Sequence, residues 1–394
     1  MSSASTNVLI VIPAYNHTAS IRDVVLRALT VHDRVLVIDD GTTEGSVSDA
    51  LAGLAPPGVR LLRRPENRGK GTAILVASRE ARAMGMTHII TLDADGQHDP
   101  ADIPRFLPVL QAHPEAIVVG RRDFRTANVP FASRFGRAFS NFWFRVQTGM
   151  PAGDTQCGFR AYPLAVLEAL SLRETGFAFE VEVLVTAAWS GVDIQTVDIS
   201  VHYPPAAERI SHFRAVVDNV RLSILNTRLT LRSMLPWPHR RIGTAASARL
   251  PLSLAHPWRS VRVLLSETGC SPARLAAAGA LGVFLGTVPL IACHTLVILV
   301  IAGYFGLNRA AAILTSQLCI PPLVPALCIE TGYLLRHGDW LREISLRTLG
   351  YQGLERLWEW LLGSLLVGPV LAMAVGLVVY LMAVGAKAGL RAAE

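Results

Sequence analysis

The chain has 394 residues, of which 51% are hydrophobic and 17% charged, and its formal net charge is +7. This length allows two domains with separate cores. The composition excludes an ordinary soluble protein, so part of the chain is expected to lie in lipid. The basic charge suits anionic lipids and phosphorylated substrates. No run of lysines and arginines is interleaved with aromatic residues, so we expect no nucleic-acid partner.

The cysteines and the N-terminus indicate a reducing compartment. None of the five cysteines forms a CxxC pair, which argues against a disulfide or zinc framework. The apolar run at residues 8–12 is too short for the core of a signal peptide. We therefore expect the front of the chain to stay in the cytosol.

The first half of the chain alternates short apolar runs with segments of helical periodicity. Strands are predicted at residues 8–12, 35–38, 88–92 and 116–119, and helices at 21–29 and 71–84. This alternation indicates an α/β fold with a mostly parallel sheet covered on both faces. In such sheets ligands bind beyond the carboxyl ends of the strands. The residues that follow these strands are therefore the candidate site.

Two carboxylates follow the third of these strands. Asp93 and Asp95 are two positions apart, and in an extended segment such side chains point the same way. Gln97 continues the spacing and could add a carbonyl oxygen. Hard oxygen ligands of this kind suit Mg²⁺ or Mn²⁺, with substrate phosphates completing the coordination. The alternative is an ordinary Asp-Gly turn.

The second strand ends at another pair of carboxylates, Asp39 and Asp40. We predict that one of them accepts hydrogen bonds from a nucleotide base or ribose; the alternative is again a turn. Residues 67–71, with the sequence NRGKG, precede a predicted helix. Because the N-terminus of a helix attracts phosphate, this loop with its Lys70 either binds the nucleotide or only caps the helix.

These motifs together resemble family 2 glycosyltransferases with a GT-A fold. Within that family, the chain is most similar to the polyprenyl-phosphate group that includes the dolichyl-phosphate mannose synthases. The similarity covers roughly residues 6–235 and rests on the segments VIPAYN (11–16), VIDDGTT (37–43), NRGKG (67–71), DADGQH (93–98), GRR (120–122), DTQCGFR (154–160), FEVE (179–182) and ERISHFR (208–214). The second half resembles a membrane domain of unknown function that is often fused to such enzymes, with the signature GVFLGTVP at 282–289.

The resemblance, together with the strand-end positions, implies roles for individual residues. The nucleotide-binding residues would be Pro13, Tyr15, Asn16, Asp39, Asp40, Lys70 and Asp93. The divalent ion, Mg²⁺ or Mn²⁺, would be held by Asp93, Asp95 and Gln97. The catalytic residues would be Asp95, Asp154, Arg121 and Arg214. The acceptor phosphate would be bound by Arg134, Arg137 and Arg160.

The abundance of arginine favours a phosphate as the sugar acceptor. A hydroxyl acceptor needs a general base, whereas a phosphate is already ionised near neutral pH and needs positive charge to hold it. Together with the family resemblance, this implies an inverting enzyme that moves one sugar from a nucleoside-diphosphate donor to a polyprenyl phosphate. The alternatives are a glycolipid synthase that uses a lipid hydroxyl with Asp154 as its base, and a membrane scaffold without activity.

The composition changes near Leu235 and predicts three regions: a catalytic domain at 1–235, a linker at 236–260 and a helical membrane domain at 261–394. Residues 276–305 and 361–386 are long enough to span a bilayer, whereas 310–335 is interrupted by prolines and is expected to be re-entrant. We expect an integral protein of the inner, cytoplasmic membrane that contacts membrane lipids and keeps its catalytic domain in the cytosol. The sequence leaves a homo-oligomer open.

Residues 213–235 are predicted to form an amphipathic helix. Arg214, Arg221, Arg228 and Arg232 fall on one side, and apolar residues fall on the other. Such a helix suits an anionic membrane surface. The alternative is a surface helix that packs on the catalytic core.

Overall fold

The computed structural model describes residues 6–54, 58–123, 129, 131–151, 153–202, 215–234, 241–242, 271–290, 293–319, 323–341 and 353–391. The chain folds as two compact units, Met1–Ser247 and Ala248–Glu394. Ile242 belongs to the first unit, because its N–H donates to the Ser190 carbonyl oxygen at 2.9 Å and its side chain packs on the core. The first unit therefore continues beyond residue 235, and most of the predicted linker lies outside the described residues.

Within the described residues, the first unit is built on a seven-stranded sheet. Its strands are β1 (Val8–Ala14), β2 (Val35–Asp39), β3 (Val59–Arg63), β4 (His88–Thr91), β5 (Ile117–Arg122), β6 (Arg160–Pro163) and β7 (Ile194–Ile199). They lie side by side in the order β3-β2-β1-β4-β6-β5-β7. β6 runs antiparallel to both of its neighbours and the other pairs are parallel, so the predicted mostly parallel sheet is confirmed.

Helices pack against this sheet and share one hydrophobic core with it. They are α1 (Ile21–Leu29), α2 (Val47–Ala50), α3 (Lys70–Ala83), α4 (Ile103–Ala112), α5 (Phe131–Thr148), α6 (Leu164–Ala169), α7 (Phe179–Trp189) and α8 (Ala215–Met234). α3 begins at Lys70, within the NRGKG segment and one residue before the predicted start at residue 71. Gly69, just before α3, has a φ of 92°, a backbone conformation that glycine adopts without a Cβ penalty.

The central strands follow from continuous apolar sequence. Every residue of β2 and β4 is buried, and in β1 only Pro13 is partly exposed, as expected for strands covered on both faces. The sequence analysis missed β3, β6 and β7. In β3 the exposed Arg60 and Arg63 interrupt the apolar pattern, and β6 is only four residues long.

The second unit is helical within the described residues. Its helices are α9 (Pro272–Thr287), α10 (His294–Tyr304), α11 (Arg309–Ser316), α12 (Leu323–His337) and α13 (Gly353–Arg391). Among the described helices, α13 alone is long and apolar enough to cross a membrane by itself, over Gly353–Gly385. The segments Arg309–Cys319 and Leu323–His337 meet at an angle of 67°, which agrees with the predicted interruption of residues 310–335.

The predicted single span at residues 276–305 is wrong. α9 ends at Thr287 and α10 begins only at His294. Pro289 lies in this break, and a proline has no backbone N–H to continue a helix. The apolar segment therefore forms two shorter helices.

α8 packs on the first unit, which was one of the two alternatives predicted for its sequence, and the contact with a membrane surface stays a prediction. Leu225 and Leu229 are buried in the core of the first unit. On other positions of the same helix, Val220, Ile224 and Leu231 are more than half exposed. The helix therefore packs on the core of the first unit with one face and exposes an apolar stripe on another.

Candidate active site

A cavity of about 880 Å³ lies beyond the carboxyl ends of β1, β2 and β4, where the strand-end rule predicts a ligand. The predicted site residues in its lining are Pro13, Tyr15, Asp40, Lys70, Asp93, Asp95 and Gln97. Lining residues without a predicted role include His17, Arg68, Thr175, Phe177, Asp218 and Arg221. The fold therefore brings together groups that are spread over two hundred positions of the sequence.

Asp40 connects the end of β2 to the loop that precedes α3. Its carboxylate accepts hydrogen bonds from the backbone N–H groups of Gly69 at 2.8 Å and Arg68 at 3.3 Å, and it lies 2.7 Å from Arg64. Burial raises the pKa of Asp40 above its usual value. Asp40 thus holds the loop in position while it lines the same cavity as Tyr15.

Asp93 and Asp95 lie in a turn, so the extended geometry predicted for them is wrong. Gly96 has a φ of 73°, and Asp95 Oδ1 accepts a hydrogen bond from the Gln97 N–H at 3.0 Å. This is the Asp-Gly turn that was the alternative interpretation. The turn nevertheless leaves both carboxylates in the lining of the cavity.

The two carboxylates of this turn differ in charge environment. Lys70 Nζ lies 2.5 Å from Asp93 Oδ1 and 2.5 Å from Glu180 Oε1. Burial opposes ionisation of Asp93, but Lys70, His98 and Arg122 together outweigh burial and lower the pKa of Asp93 to about 2. Burial, and then the Asp93 charge, raise the pKa of Asp95 to about 6. Additional positive charge would therefore be most favourable at Asp95.

The oxygen ligands suit a divalent ion that binds together with a substrate. Among the described residues, no group of three or more His, Cys, Asp or Glu side chains could hold a metal ion. Asp93, Asp95 and Gln97 offer two carboxylates and an amide oxygen, and Mg²⁺ or Mn²⁺ uses such ligands together with phosphate oxygens. These residues therefore fit the ion when a diphosphate completes its coordination.

Two segments that are distant in sequence complete the cavity. Residues 175–177 precede α7, and Asp218 and Arg221 lie in the first turns of α8. Arg221 Nη1 is 3.8 Å from Asp218 Oδ1, and its side chain is 58% exposed. Its position on the basic side of α8 was the one sequence signal for a role of Arg221. A smaller cavity of about 260 Å³ shares all these residues.

Two predicted nucleotide-binding residues have structural roles outside the cavity lining. Asn16 has a φ of 53°, and its Oδ1 accepts hydrogen bonds from the N–H groups of Thr43 at 2.9 Å and Glu44 at 3.2 Å. Asp39 is buried and accepts a hydrogen bond from the Thr42 N–H at 2.9 Å. Asn16 thus joins the loop after β1 to the loop after β2, and Asp39 fixes the loop after β2 from within.

Asp154 and Arg121, predicted to be catalytic, are both engaged in ion pairs. Arg122 donates two hydrogen bonds to the Asp154 carboxylate, at 2.7 Å and 2.9 Å. Arg121 pairs with Asp198 in the same two-point geometry, at 2.6 Å and 2.9 Å, on the exposed side of β5. Arg214, also predicted to be catalytic, lies outside the described residues.

The arginines predicted for the acceptor phosphate are dispersed. Arg134 is exposed on α5, and Arg137 on the same helix donates to the Arg122 carbonyl oxygen at 2.9 Å. Arg160 is buried in the core, so its predicted contact with an acceptor is wrong. Its guanidinium donates to the backbone carbonyl oxygens of Cys157, Thr155 and Glu180 at 2.6–2.8 Å.

The two parts of the chain match different protein families. Residues 9–171 match the family described as Glycosyl transferase family 2. Residues 257–388 match the family described as Uncharacterized protein conserved in bacteria, DUF2062. The predicted family resemblance and the predicted fusion to a domain of unknown function are therefore confirmed.

Individual relatives cover the first half of the chain. The polyprenol monophosphomannose synthase of Mycolicibacterium smegmatis is 28% identical over 205 residues, which are 49% of this chain and 76% of the relative. The undecaprenyl-phosphate mannosyltransferase of Micrococcus luteus is 29% identical over 202 residues, 49% of this chain and 82% of the relative. Among solved structures, glucosyl-3-phosphoglycerate synthase from Mycobacterium tuberculosis superposes with a TM-score of 0.44 at 20% identity, covering 58% of this chain and 78% of that one.

Proposed function

We propose that the chain, whose residues 9–171 match Glycosyl transferase family 2, transfers one sugar from a nucleoside-diphosphate donor to a polyprenyl phosphate. The proposal includes dependence on Mg²⁺ or Mn²⁺ and inversion at the anomeric carbon. It also includes attachment to the inner membrane with the catalytic unit in the cytosol. The names of relatives that act on polyprenol or undecaprenyl phosphate support the acceptor class.

The observation that carries the proposal is the composition of the large cavity. It combines the carboxylates Asp93 and Asp95 with the aromatic ring of Tyr15 and the basic side chains of Arg68 and Arg221. A volume of about 880 Å³ is within the range that holds a ligand of nucleotide-sugar size. Carboxylates for a cation and arginines for phosphates are the groups that a nucleoside diphosphate requires.

The metal-binding residues would be Asp93, Asp95 and Gln97. A divalent ion there would neutralise the charge that develops on the leaving diphosphate. Tyr15 and Asp40 would hold the base and ribose of the donor. Asp40 also accepts hydrogen bonds from the backbone N–H groups of Arg68 and Gly69, which would keep the Arg68 side chain at the cavity. The chain itself thus positions the donor through two strand ends and one loop.

A phosphate acceptor explains why arginines line the cavity. An oxygen of the acceptor phosphate attacks the anomeric carbon while the bond to the nucleoside diphosphate breaks, and a single displacement inverts that carbon. The attacking phosphate is already anionic near neutral pH, so the protein has to hold charge rather than remove a proton. Arg68 and Arg221 are the described arginines with this position, and Arg214 stays a proposed third.

A lipid hydroxyl as acceptor is the second candidate function. This reaction needs a general base in the cavity. Asp154 is buried against Arg122, whereas Asp218 lines the cavity. If the acceptor is a hydroxyl, we therefore expect Asp218 rather than Asp154 to act as the base.

Two surface helices of the catalytic unit support a position at an anionic lipid surface. On α5, Phe135, Phe139 and Phe142 are 60%, 47% and 40% exposed. The same helix carries three arginines and no acidic residue. Exposed aromatic rings among arginines suit the interface of an anionic bilayer, and the exposed apolar stripe of α8 supports the same orientation. In the second unit, Gly353–Gly385 is the proposed membrane span.

The proposal can be tested with the purified full chain and a panel of nucleotide sugars. A short-chain polyprenyl phosphate and Mg²⁺ or Mn²⁺ complete the assay, and the glycosylated lipid phosphate is detected by mass. We expect one or few donors to give product, and Asp95→Ala to lower turnover about a thousandfold. Full activity in EDTA, or no product with any donor, would contradict the proposal.

A further inference from the structure

Lys70 lies in the wall of the cavity between two carboxylates. Its Nζ is 2.5 Å from Asp93 Oδ1 and 2.5 Å from Glu180 Oε1, and the side chains are only 15%, 24% and 8% exposed, respectively. The sequence interpretation assigned Lys70 to the nucleotide. In the structure its positive charge is already opposed by two negative charges of the chain itself.

Glycines pack around this ion pair and fix it. A Cβ at Gly158 would collide with both the Asp93 carboxylate and the Lys70 ammonium. A Cβ at Gly71 would collide with the ring of Phe179, which precedes Glu180 on α7. Lys70 therefore reaches Asp93 because β4, α3, α7 and the segment before β6 pack without intervening side chains.

The contact has a consequence for any cation at Asp93. One carboxylate oxygen of Asp93 is engaged by Lys70, so a divalent ion must either share Asp93 with the ammonium group or displace it. Like charges at this distance repel strongly in a partly buried site. Glu180 reduces that repulsion, because its carboxylate partly neutralises the charge of the same ammonium group from the other side.

We propose that Lys70 is a positioning residue of the metal site, which orients Asp93 and competes with the divalent ion for it. The ion then binds tightly only when a diphosphate supplies further oxygen ligands and offsets the repulsion. Glu180 sets the strength of this competition. The inference rests on the proposed function, because it assumes that Asp93 and Asp95 hold the ion.

The test measures Mn²⁺ binding to the full chain without any nucleotide, by the loss of the free-ion signal in electron paramagnetic resonance. Lys70→Met should raise the affinity for Mn²⁺ about tenfold or more, since it removes a repelling charge and frees Asp93. Glu180→Gln should lower the affinity, since it strengthens the hold of Lys70 on Asp93. The double variant Lys70→Met/Glu180→Gln removes one charge of each sign and so keeps the net charge of the site. Its expected rise in Mn²⁺ affinity therefore reports only the release of Asp93 from Lys70.

The same variants are compared for binding of UDP and GDP with Mn²⁺ present. The gain in Mn²⁺ affinity that wild type obtains from UDP or GDP should be smaller in Lys70→Met. If Lys70 were only a ligand of the nucleotide, Lys70→Met would weaken UDP or GDP binding and leave Mn²⁺ affinity without nucleotide unchanged. That result would overturn the inference.

Two readouts separate failure of this inference from failure of the proposed function. Unchanged Mn²⁺ affinity in all three variants, with metal-dependent transfer intact in wild type, would overturn the role of Lys70 alone. Absence of Mn²⁺ binding to wild type even with UDP or GDP would overturn both. Thermal unfolding is recorded for each variant. If Lys70→Met alone does not fold, the double variant replaces it, because the double variant leaves fewer buried carboxylates unpaired.

Discussion

Arg122 and Asp154 form a two-point ion pair in which Nε donates to Oδ2 at 2.7 Å and Nη2 donates to Oδ1 at 2.9 Å. The Asp154 side chain is fully buried and that of Arg122 is 13% exposed. A carboxylate whose two oxygens are engaged in this way is poorly suited to remove a proton from a substrate hydroxyl. The pair therefore favours a phosphate acceptor over a hydroxyl acceptor that relies on Asp154.

Disruption of this pair should destabilise the protein through loss of a shared interaction. We expect Arg122→Gln and Asp154→Asn each to lower the midpoint of thermal unfolding by about 10 °C, because each removes one charge from a buried two-point ion pair. The double variant should lose clearly less than the sum of the two single variants. Differential scanning fluorimetry of the detergent-solubilised full chain measures all three shifts.

The pair between Arg121 and Asp198 is a matched control. It has the same two-point geometry, but its side chains are 52% and 68% exposed. Solvent screens such pairs, so Arg121→Gln and Asp198→Asn should shift the midpoint by no more than about 3 °C. Two results would contradict this account of Asp154. One is a shift in the double variant of Arg122 and Asp154 equal to the sum of the two single shifts. The other is an equally large departure from that sum in the exposed pair.

Gly158 should tolerate no side chain, because it adjoins the Asp93 carboxylate and the Lys70 ammonium. We expect Gly158→Ala to lower turnover at least about a hundredfold, since even small displacements of catalytic groups are costly. Gly176→Ala is the control, because Gly176 lines the cavity and has open space at its Cβ position. Steady-state transfer assays compare the two variants, and near-equal activity would argue against the packing described here.

His98 should make stability depend on pH. Burial lowers the pKa of His98 from 6.5 to about 4, although the nearby Asp93 charge acts in the opposite direction. Between these values the unfolded chain binds a proton that the folded chain does not. Stability is therefore lost as pH falls from about 6.5 towards 4, by up to about 3 kcal/mol.

The pH effect is measured as the difference between wild type and His98→Asn. Unfolding midpoints recorded between pH 4 and 7 should fall less steeply in the variant. His113→Asn is the control at a half-exposed position and should retain the wild-type slope. Parallel curves for wild type and His98→Asn would show that this histidine does not carry the effect.

The exposed aromatic side of α5 should matter only when the acceptor is in a membrane. Phe135 and Phe139 stack with their ring centroids 5.9 Å apart on the surface. Phe135→Ser/Phe139→Ser should lower transfer to a long-chain polyprenyl phosphate in anionic vesicles about tenfold, because it removes apolar area from the lipid contact. Transfer to a short-chain, water-soluble acceptor should stay near the wild-type rate.

Leu26 on α1 provides the comparison for that variant, because it is also an exposed apolar side chain, 42% accessible. Leu26→Ser should leave both rates unchanged. A loss with the short-chain acceptor equal to that with vesicles would mean that the aromatic side chains support folding or catalysis rather than contact with lipid.

The sequence predicted the centre of the fold because burial and hydrogen bonding act locally there. The apolar runs of β1, β2, β4 and β5 were visible, and the strand-end rule then located Asp40, Asp93 and Asp95 at one edge. β3 and β7 were missed, because their exposed residues interrupt the apolar pattern that the prediction used.

The rest of the site depends on contacts between distant segments. Glu180, Asp218 and Arg221 meet the strand ends only after α7 and α8 have packed. Sequence also cannot distinguish Arg160, whose charge is satisfied by buried carbonyl oxygens, from an arginine that faces a ligand. Burial separates them, and burial is a property of the folded chain.

The central claim is that the nucleophile is a phosphate oxygen of a lipid. The direct measurement compares two acceptors in separate reactions: a polyprenyl phosphate and the polyprenol of the same chain length. Each reaction contains the purified full chain, its preferred donor and Mg²⁺ or Mn²⁺. Mass spectrometry identifies the product of each reaction. We predict a sugar-phosphate-linked lipid from the first and no product from the second. Transfer to the polyprenol or to diacylglycerol, with none to the polyprenyl phosphate, would contradict the account and favour the hydroxyl-acceptor enzyme.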